Sequence, residues 1–132
     1  MNILIDEHLS PRLARALAAL FHGEHEVVHL RDKFGPAVKD TEWIAALSGE
    51  GRWAIISADR RITRNRAEYI AFRNSKLIGF FMATSIYKAP LTRQMARLLI
   101  LWDSIIDLAT RVEGGAMFEL PGRSARIKQL KL

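Results

Sequence analysis

The sequence predicts an α/β fold, a three-layer α/β/α sandwich around a mostly parallel sheet of four or five strands. Short apolar runs such as Ile3 to Ile5 and Trp53 to Ser57 have the composition of strands that are buried on both faces. Longer segments with the periodicity of amphipathic helices separate these runs. Repeated strand and helix units are typical of a parallel sheet that is covered by helices on both faces.

The boundaries of the predicted elements follow from local signals. Ser10 and Pro11 have the pattern of a helix N-cap and first helical residue, and Gly114 with Gly115 ends the longest helix. Apolar residues line one face of the first helix (Leu13, Leu17, Leu20 and Phe21) and of the longest (Leu91, Met95, Leu98, Leu99, Trp102, Ile105, Ile106 and Ala109). The predicted order is strand 3–5, helix from 11, strand 24–30, loop 31–39, helix from 40 to about 49, strand 53–57, helix 63–73, strand 77–83, helix from 90 or 91 and strand 116–120.

Composition limits the class of protein. A chain of 132 residues with 49% hydrophobic residues predicts one domain, 1–132, with a core of its own. The absence of cysteine excludes thiolate metal sites and cysteine nucleophiles, and it fits a reducing, cytoplasmic location. No apolar run approaches the roughly 20 residues of a membrane span, so we expect no membrane association.

The net charge of +6 favours a polyanionic partner such as nucleic acid. Arg60, Arg61, Arg64 and Arg66 form one basic cluster, which predicts an RNA-binding rim, although a solvated helix face is the alternative.

The basic C-terminal tail, 121–132, follows Pro121 and Gly122 and is expected to be an interaction element outside the core. In the alternative, Ile127 and Leu130 pack on the sheet of the same chain.

Three acids occupy related places. Asp6 follows the first strand, Asp59 follows the third, and Asp40 starts the helix between them. Because parallel strands end at one edge of a sheet, these carboxylates are expected to converge. A carboxylate cluster is unfavourable unless a cation neutralises it, and hard divalent ions prefer oxygen ligands. The three acids therefore predict a Mg²⁺ or Mn²⁺ site whose bound water could attack a phosphodiester. For Asp40, helix capping is the structural alternative.

Three motifs resemble the PIN-like nuclease family, in particular VapC-like toxins of type II toxin-antitoxin pairs. They are Leu-Ile-Asp-Glu at 4–7 followed by Leu-Ser-Pro, Lys-Asp-Thr-Glu-Trp-Ile at 39–44, and Ile-Ile-Ser-Ala-Asp-Arg-Arg-Ile at 55–62. The likeness runs to about residue 85. It implies a metal-dependent endoribonuclease that uses Asp6, Asp40 and Asp59, with RNA as substrate and an antitoxin protein as partner. A second copy of the chain is a further candidate partner.

The third motif departs from this family at Arg61, where many relatives have another acid. Glu7 and Glu42 are possible substitute ligands, and Ser57 could hydrogen-bond a carboxylate or a metal-bound water. The departure keeps open a catalytically silent PIN-like module that binds nucleic acid or protein. A receiver-like Mg²⁺-binding signalling domain is a weaker alternative, since the last strand is followed by no suitable lysine.

Overall fold

The computed structural model describes residues 1–131. It confirms the three-layer α/β/α sandwich with a mostly parallel sheet, and the sheet has six strands in the described residues. The strands are β1 (Asn2–Ile5), β2 (Glu26–His29), β3 (Trp53–Ser57), β4 (Ile78–Met82), β5 (Met117–Leu120) and β6 (Lys128–Gln129). The helices are α1 (Pro11–Leu20), α2 (Leu30–Phe34), α3 (Asp40–Glu50), α4 (Arg61–Arg64), α5 (Arg66–Arg73), α6 (Thr84–Tyr87) and α7 (Leu91–Arg111).

The strand order is β2-β1-β3-β4-β5-β6. Strands β1 to β5 are all parallel to their neighbours, and β6 alone is antiparallel. The chain moves outward from β1 to β2 and then returns to the other side of β1 to form β3, so the strand order reverses between β1 and β3. In open α/β sheets, ligands bind beyond the carboxyl ends of the strands at such a switch point.

Two apolar layers cover the sheet. On one face, α1 and α7 pack Leu13, Leu17, Leu98 and Ile105 against the alternate residues of the strands. On the other face, α2, α3, α4 and α5 contribute the second cluster of buried side chains. Strands β3 and β4 are buried along their whole lengths, as predicted for central parallel strands.

Three helical segments differ from the sequence prediction. α2 lies in the region predicted as a loop, because the His29 side chain accepts a hydrogen bond from the Arg31 N–H and caps the helix. The helix predicted over 63–73 is broken at Asn65, whose side chain caps α5. The short α6 was not predicted, and four residues are too few to show a periodicity.

Two residues of the predicted apolar faces are exposed. Leu20 is 57% exposed at the end of α1, and Leu99 is 40% exposed on α7, where Leu101 is buried instead. Within residues 1–131, no helix is both long and apolar enough to span a membrane.

The C-terminal segment is attached to the sheet. Lys128 pairs with Glu119 of β5, and the Leu130 N–H donates to the Met117 carbonyl. Ile127 packs against the cluster on one face of the sheet and Leu130 against the cluster on the other. The expectation that this segment lies outside the core is therefore wrong for these residues, while Leu132 is outside the described residues.

Candidate functional site

Asp6 and Asp59 lie at the switch point of the sheet. Asp6 directly follows β1, and its backbone N–H donates to the Ile56 carbonyl of β3 at 2.9 Å. Ser57, the last residue of β3, is fully buried and links the two acids. Its Oγ donates to Asp6 Oδ2 at 2.7 Å and accepts from the Asp59 N–H at 3.0 Å. The two strand ends thus place both acids on one edge, as the sequence predicts.

Asp6 is a buried carboxylic acid, with only 6% of its surface exposed. Burial raises the pKa of Asp6, and the charge of Asp40 adds to the increase, while hydrogen bonds from Ser57 and the Glu7 backbone oppose it. The charged form of Asp6 is therefore unfavourable unless a cation lies close to it.

Asp40 lies at the first position of α3 but does not cap the helix, since the N-cap residue is Lys39. The Asp40 Oδ1 instead accepts a hydrogen bond of 2.9 Å from Nε1 of Trp43, a residue that is completely buried in the core. A fixed indole thus orients one carboxylate oxygen of Asp40. This geometry removes the capping explanation for the presence of Asp40 at this position.

Asp59 is held by Arg61 and His8. Its Oδ1 accepts from the Arg61 backbone N–H at 2.9 Å, and its Oδ2 lies 2.6 Å from Arg61 Nε and 3.0 Å from His8 Nε2. Burial alone would raise the pKa of Asp59, but the hydrogen bonds and charge of Arg61 lower it below its ordinary value. The Arg61 side chain is 67% exposed and so has room to move away from this carboxylate.

Glu68, in the first turn of α5, is a fourth acid at this site. Burial raises the pKa of Glu68, as do the negative charge of Asp40, the hydrogen bond that Asp40 makes with the protonated form, and the charge of Asp59. In the ionised form of Glu68, the buried Oε2 has no hydrogen-bond donor among the described residues. A buried carboxylate oxygen without a donor is an unsatisfied acceptor that a cation could satisfy.

The chemistry of these donors fits a hard divalent cation. Asp6, Asp40, Asp59 and Glu68 offer only carboxylate oxygens, which are the ligands of Mg²⁺ and Mn²⁺. The interactions that perturb their pKa values connect Asp6 with Asp40, and Glu68 with both Asp40 and Asp59. In the described residues, however, no three acidic or histidine side chains are already placed to hold a metal ion. Arg61 engages Asp59, so a metal-binding arrangement requires the Arg61 side chain to move.

The two substitute acids lie outside this group. Glu7 pairs with Arg31 at 3.2 Å, and Glu42 is exposed on the first turn of α3. Neither side-chain charge contributes to the pKa shifts of Asp6, Asp59 or Glu68.

The four predicted RNA-binding arginines are also not equivalent. Arg60 pairs with Glu119 of β5, and Arg61 pairs with Asp59. Arg64 and Arg66 are exposed and make no ion pair within residues 1–131.

Glu68 and His8 are not among the residues that the sequence predicts for this site. A signal for Glu68 was present, since Asn65 followed by an acid three residues later has the form of a capping box. Asn65 Oδ1 indeed accepts from the Glu68 N–H at 3.1 Å. Such a pattern would have placed Glu68 at a helix start, on the edge where the other acids lie. The contact of His8 with Asp59 had no comparable signal.

Comparison with known proteins identifies the family. A family model described as a PIN like domain matches residues 1–84, which include β1 to β4, Asp6, Asp40, Asp59 and Glu68. No curated protein and no solved structure matches the chain. The match covers well over half of the 132 residues and contains all four acids of the candidate site. The chain therefore belongs to the PIN-like domain family.

Proposed function

We propose that this protein is a metal-dependent endoribonuclease that hydrolyses RNA phosphodiester bonds with Mg²⁺ or Mn²⁺. The observation that carries the proposal is the group of four carboxylates, two after β1 and β3 and two in the first turns of α3 and α5, which includes the buried Asp6 and the unsatisfied Oε2 of Glu68. PIN-like domains are generally nucleases, and the net charge of +6 favours a polyanionic substrate.

Asp6, Asp40, Asp59 and Glu68 would hold the metal. When bound, the ion would stabilise the negative charge that develops on the phosphodiester and would activate the attacking water. Ser57 fixes the orientation of Asp6 through the 2.7 Å hydrogen bond, and Trp43 fixes Asp40 through the 2.9 Å hydrogen bond. Rigidly oriented ligands of this kind reduce the rearrangement that metal binding requires.

Arg61 would have two roles in this mechanism. Without metal, its guanidinium neutralises Asp59. With Asp59 engaged by a metal, the exposed Arg61 side chain would be free to donate hydrogen bonds to a substrate phosphate, for which a planar guanidinium is suited.

The test is cleavage of a labelled single-stranded RNA with Mn²⁺ or Mg²⁺. Asp6→Asn and Asp59→Asn should each reduce the rate by at least about 10²-fold, because each removes an anionic ligand. Asp103→Asn is the matched control, since Asp103 is an exposed acid on α7 and makes no contact with the site. If both site variants cleave at the wild-type rate in preparations free of contaminating nuclease, the proposal fails.

We further propose that the enzyme is the cytoplasmic toxin of a toxin-antitoxin pair, which the resemblance to VapC-like proteins supports. A neighbouring reading frame that encodes a small DNA-binding protein would add support. Induced expression should arrest growth, and Asp6→Asn should abolish the arrest. Arrest that persists in the Asp6→Asn variant would contradict a toxic nuclease activity.

A second candidate function is a PIN-like module that binds RNA or protein without cleaving it. The ion pair between Arg61 and Asp59 favours this alternative, because it occupies a carboxylate that catalysis would require. RNA cleavage with metal separates the two functions. Binding without cleavage, at all metal concentrations and also in Arg61→Ala, would favour the silent module.

A further inference from the structure

A basic pocket lies beside the acidic site on the same edge of the sheet. Its walls are the turn after β4, the first two turns of α7 and the segment after β5, and its volume is about 300 Å³. Three arginines line it, Arg93, Arg97 and Arg123, and no acidic residue does. Within residues 1–131, Arg93 and Arg123 are exposed and make no ion pair. The pocket thus concentrates positive charge that the protein itself does not neutralise.

The third arginine is held in place. Nη2 of Arg97 donates to the carbonyls of Pro121 and Ser124, at 2.8 and 2.6 Å. Its Nε–H is buried and has no acceptor in the described part of the chain. Ser85 also lines the pocket and closely approaches Gly122, where a Cβ atom would collide with the serine hydroxyl in its present position. A fixed guanidinium, two exposed ones and a hydroxyl are suitable donors for a phosphate group.

The basic pocket and the acidic site share α6 as a wall. Ser85 and Ile86 face the basic pocket, while Tyr87 lines a smaller cavity of about 160 Å³ together with His8, Asp59 and Arg61. Only β4 lies between β3, which Asp59 follows, and β5, which Gly122 and Arg123 follow, so these two strands are two spacings, or about 10 Å, apart. Tyr87 is 41% exposed between them, so its ring is accessible to a base.

We propose that the pocket of Arg93, Arg97 and Arg123 binds a backbone phosphate of single-stranded RNA, so that a neighbouring phosphodiester of the same strand lies at the acidic site. This inference rests on the proposed function for the identity of the strand. It assigns the main phosphate contact to a surface outside the 60–66 cluster, in which Arg60 and Arg61 are already paired with acids. Phosphate contacts of this kind supply affinity and register without sequence preference.

The experiment measures the binding of a short fluorescein-labelled single-stranded RNA by anisotropy, in EDTA so that no cleavage occurs. The double variant Arg93→Ala/Arg123→Ala should bind at least about 10-fold more weakly, and the slope of log K against log salt should decrease by about 1 to 2. Both arginines are exposed, so the fold is expected to be retained.

The matched control is Arg73→Ala/Arg111→Ala. These arginines end α5 and α7 at the opposite edge of the sheet, and their removal deletes the same charge. Unchanged RNA affinity in the pocket variant, equal losses in the pocket and control variants, or no RNA binding by the wild type would each overturn the inference.

A second experiment tests whether the pocket binds free phosphate and not RNA. If inorganic phosphate or a mononucleotide raises the melting temperature of the wild type but not of the pocket variant, while RNA affinity is the same in both, the pocket binds small phosphates and the RNA assignment is wrong.

Cleavage assays then separate this inference from the proposed function. If the wild type cleaves RNA with Mn²⁺ but the pocket variant binds RNA as tightly as the wild type, only the proposed phosphate pocket is wrong. If the pocket variant binds RNA more weakly but the wild type does not cleave it, only the proposed nuclease activity is wrong.

Discussion

At the scale of single residues, the candidate site combines buried acids with a cation from the chain itself. The hydrogen bonds and charge of Asp59 raise the pKa of Arg61, and the charges of Asp40 and Glu68 contribute as well. The guanidinium thus lies in the field of three acids and partly replaces the positive charge that a metal would bring. Substitution of Arg61 or of Glu68 should therefore change the affinity of the site for metal.

Arg61→Ala should bind Mn²⁺ about 10-fold more tightly than the wild type, a gain of about 1.4 kcal/mol. The reason is that Asp59 no longer has to exchange a guanidinium for the metal. Isothermal titration calorimetry measures the affinity, and Arg64→Ala is the control because Arg64 is an exposed arginine of the same short helix. Equal or weaker Mn²⁺ binding by Arg61→Ala would show that Arg61 does not compete with the metal.

Glu68→Gln should have the opposite effect and weaken Mn²⁺ binding by about 10-fold, because it removes a carboxylate ligand. Without metal, the same variant should melt at a higher temperature than the wild type, since the unfavourable burial of charge beside Asp40 is relieved. Glu113→Gln, at an exposed acid after α7, should change neither property. Wild-type affinity in Glu68→Gln would place this residue outside the metal site.

At the scale of elements, short segments between strands and helices determine the positions of side chains at the edge of the sheet that carries the site. Asn65 ends α4 and caps α5, and this break brings Glu68 to the first turn of a new helix. His29 caps α2 through Nδ1, and its Nε2 lies 2.8 Å from the Leu9 carbonyl, where it donates a hydrogen bond to the loop that follows Asp6. Local capping therefore decides which side chains reach the site.

Truncation after Gly122 should lower the melting temperature. It removes β6 and the half-buried Ile127 and Leu130, whose apolar contacts contribute about 1–2 kcal/mol. For a domain of this size the expected decrease is about 3–10 °C by differential scanning calorimetry. Arg126→Ala, which keeps the chain but removes an exposed charge, is the control. A truncated protein with the wild-type melting temperature would show that the segment adds nothing to stability.

At the scale of the whole molecule, two surfaces of opposite charge, the acidic site and the arginine pocket, lie along the same edge of the sheet. Asp6 and Asp59 follow β1 and β3, Asp40 and Glu68 lie in the first turns of α3 and α5, and the arginine pocket lies beyond the ends of β4 and β5. In the metal-free protein, the acids repel one another, so the folded state should be stabilised by any cation that they bind specifically.

Millimolar Mn²⁺ or Mg²⁺ should therefore raise the melting temperature of the wild type. At a concentration 100 times the dissociation constant the stabilisation is about 2.7 kcal/mol. Asp6→Asn should lose most of this effect while melting higher than the wild type in EDTA, because the amide can still accept the Ser57 hydrogen bond without carrying a buried charge. A metal-induced increase that is equal in Asp6→Asn would mean that the ion binds elsewhere.

The sequence by itself determined the fold class, the placement of Asp6, Asp40 and Asp59 at ends of elements, and the resemblance to PIN-like domains, which the family match confirms. These features are local: a buried strand, a helix start and the acid beside each are visible in a few consecutive residues. The sequence could not show that His8 contacts Asp59, since residues 8 and 59 meet only when β1 and β3 pair. It also could not group Arg93 with Arg123, because α7 meets the segment after β5 only in the folded chain, where Arg97 binds the Pro121 carbonyl. Tertiary structure decided these contacts because they join segments that are far apart in the sequence.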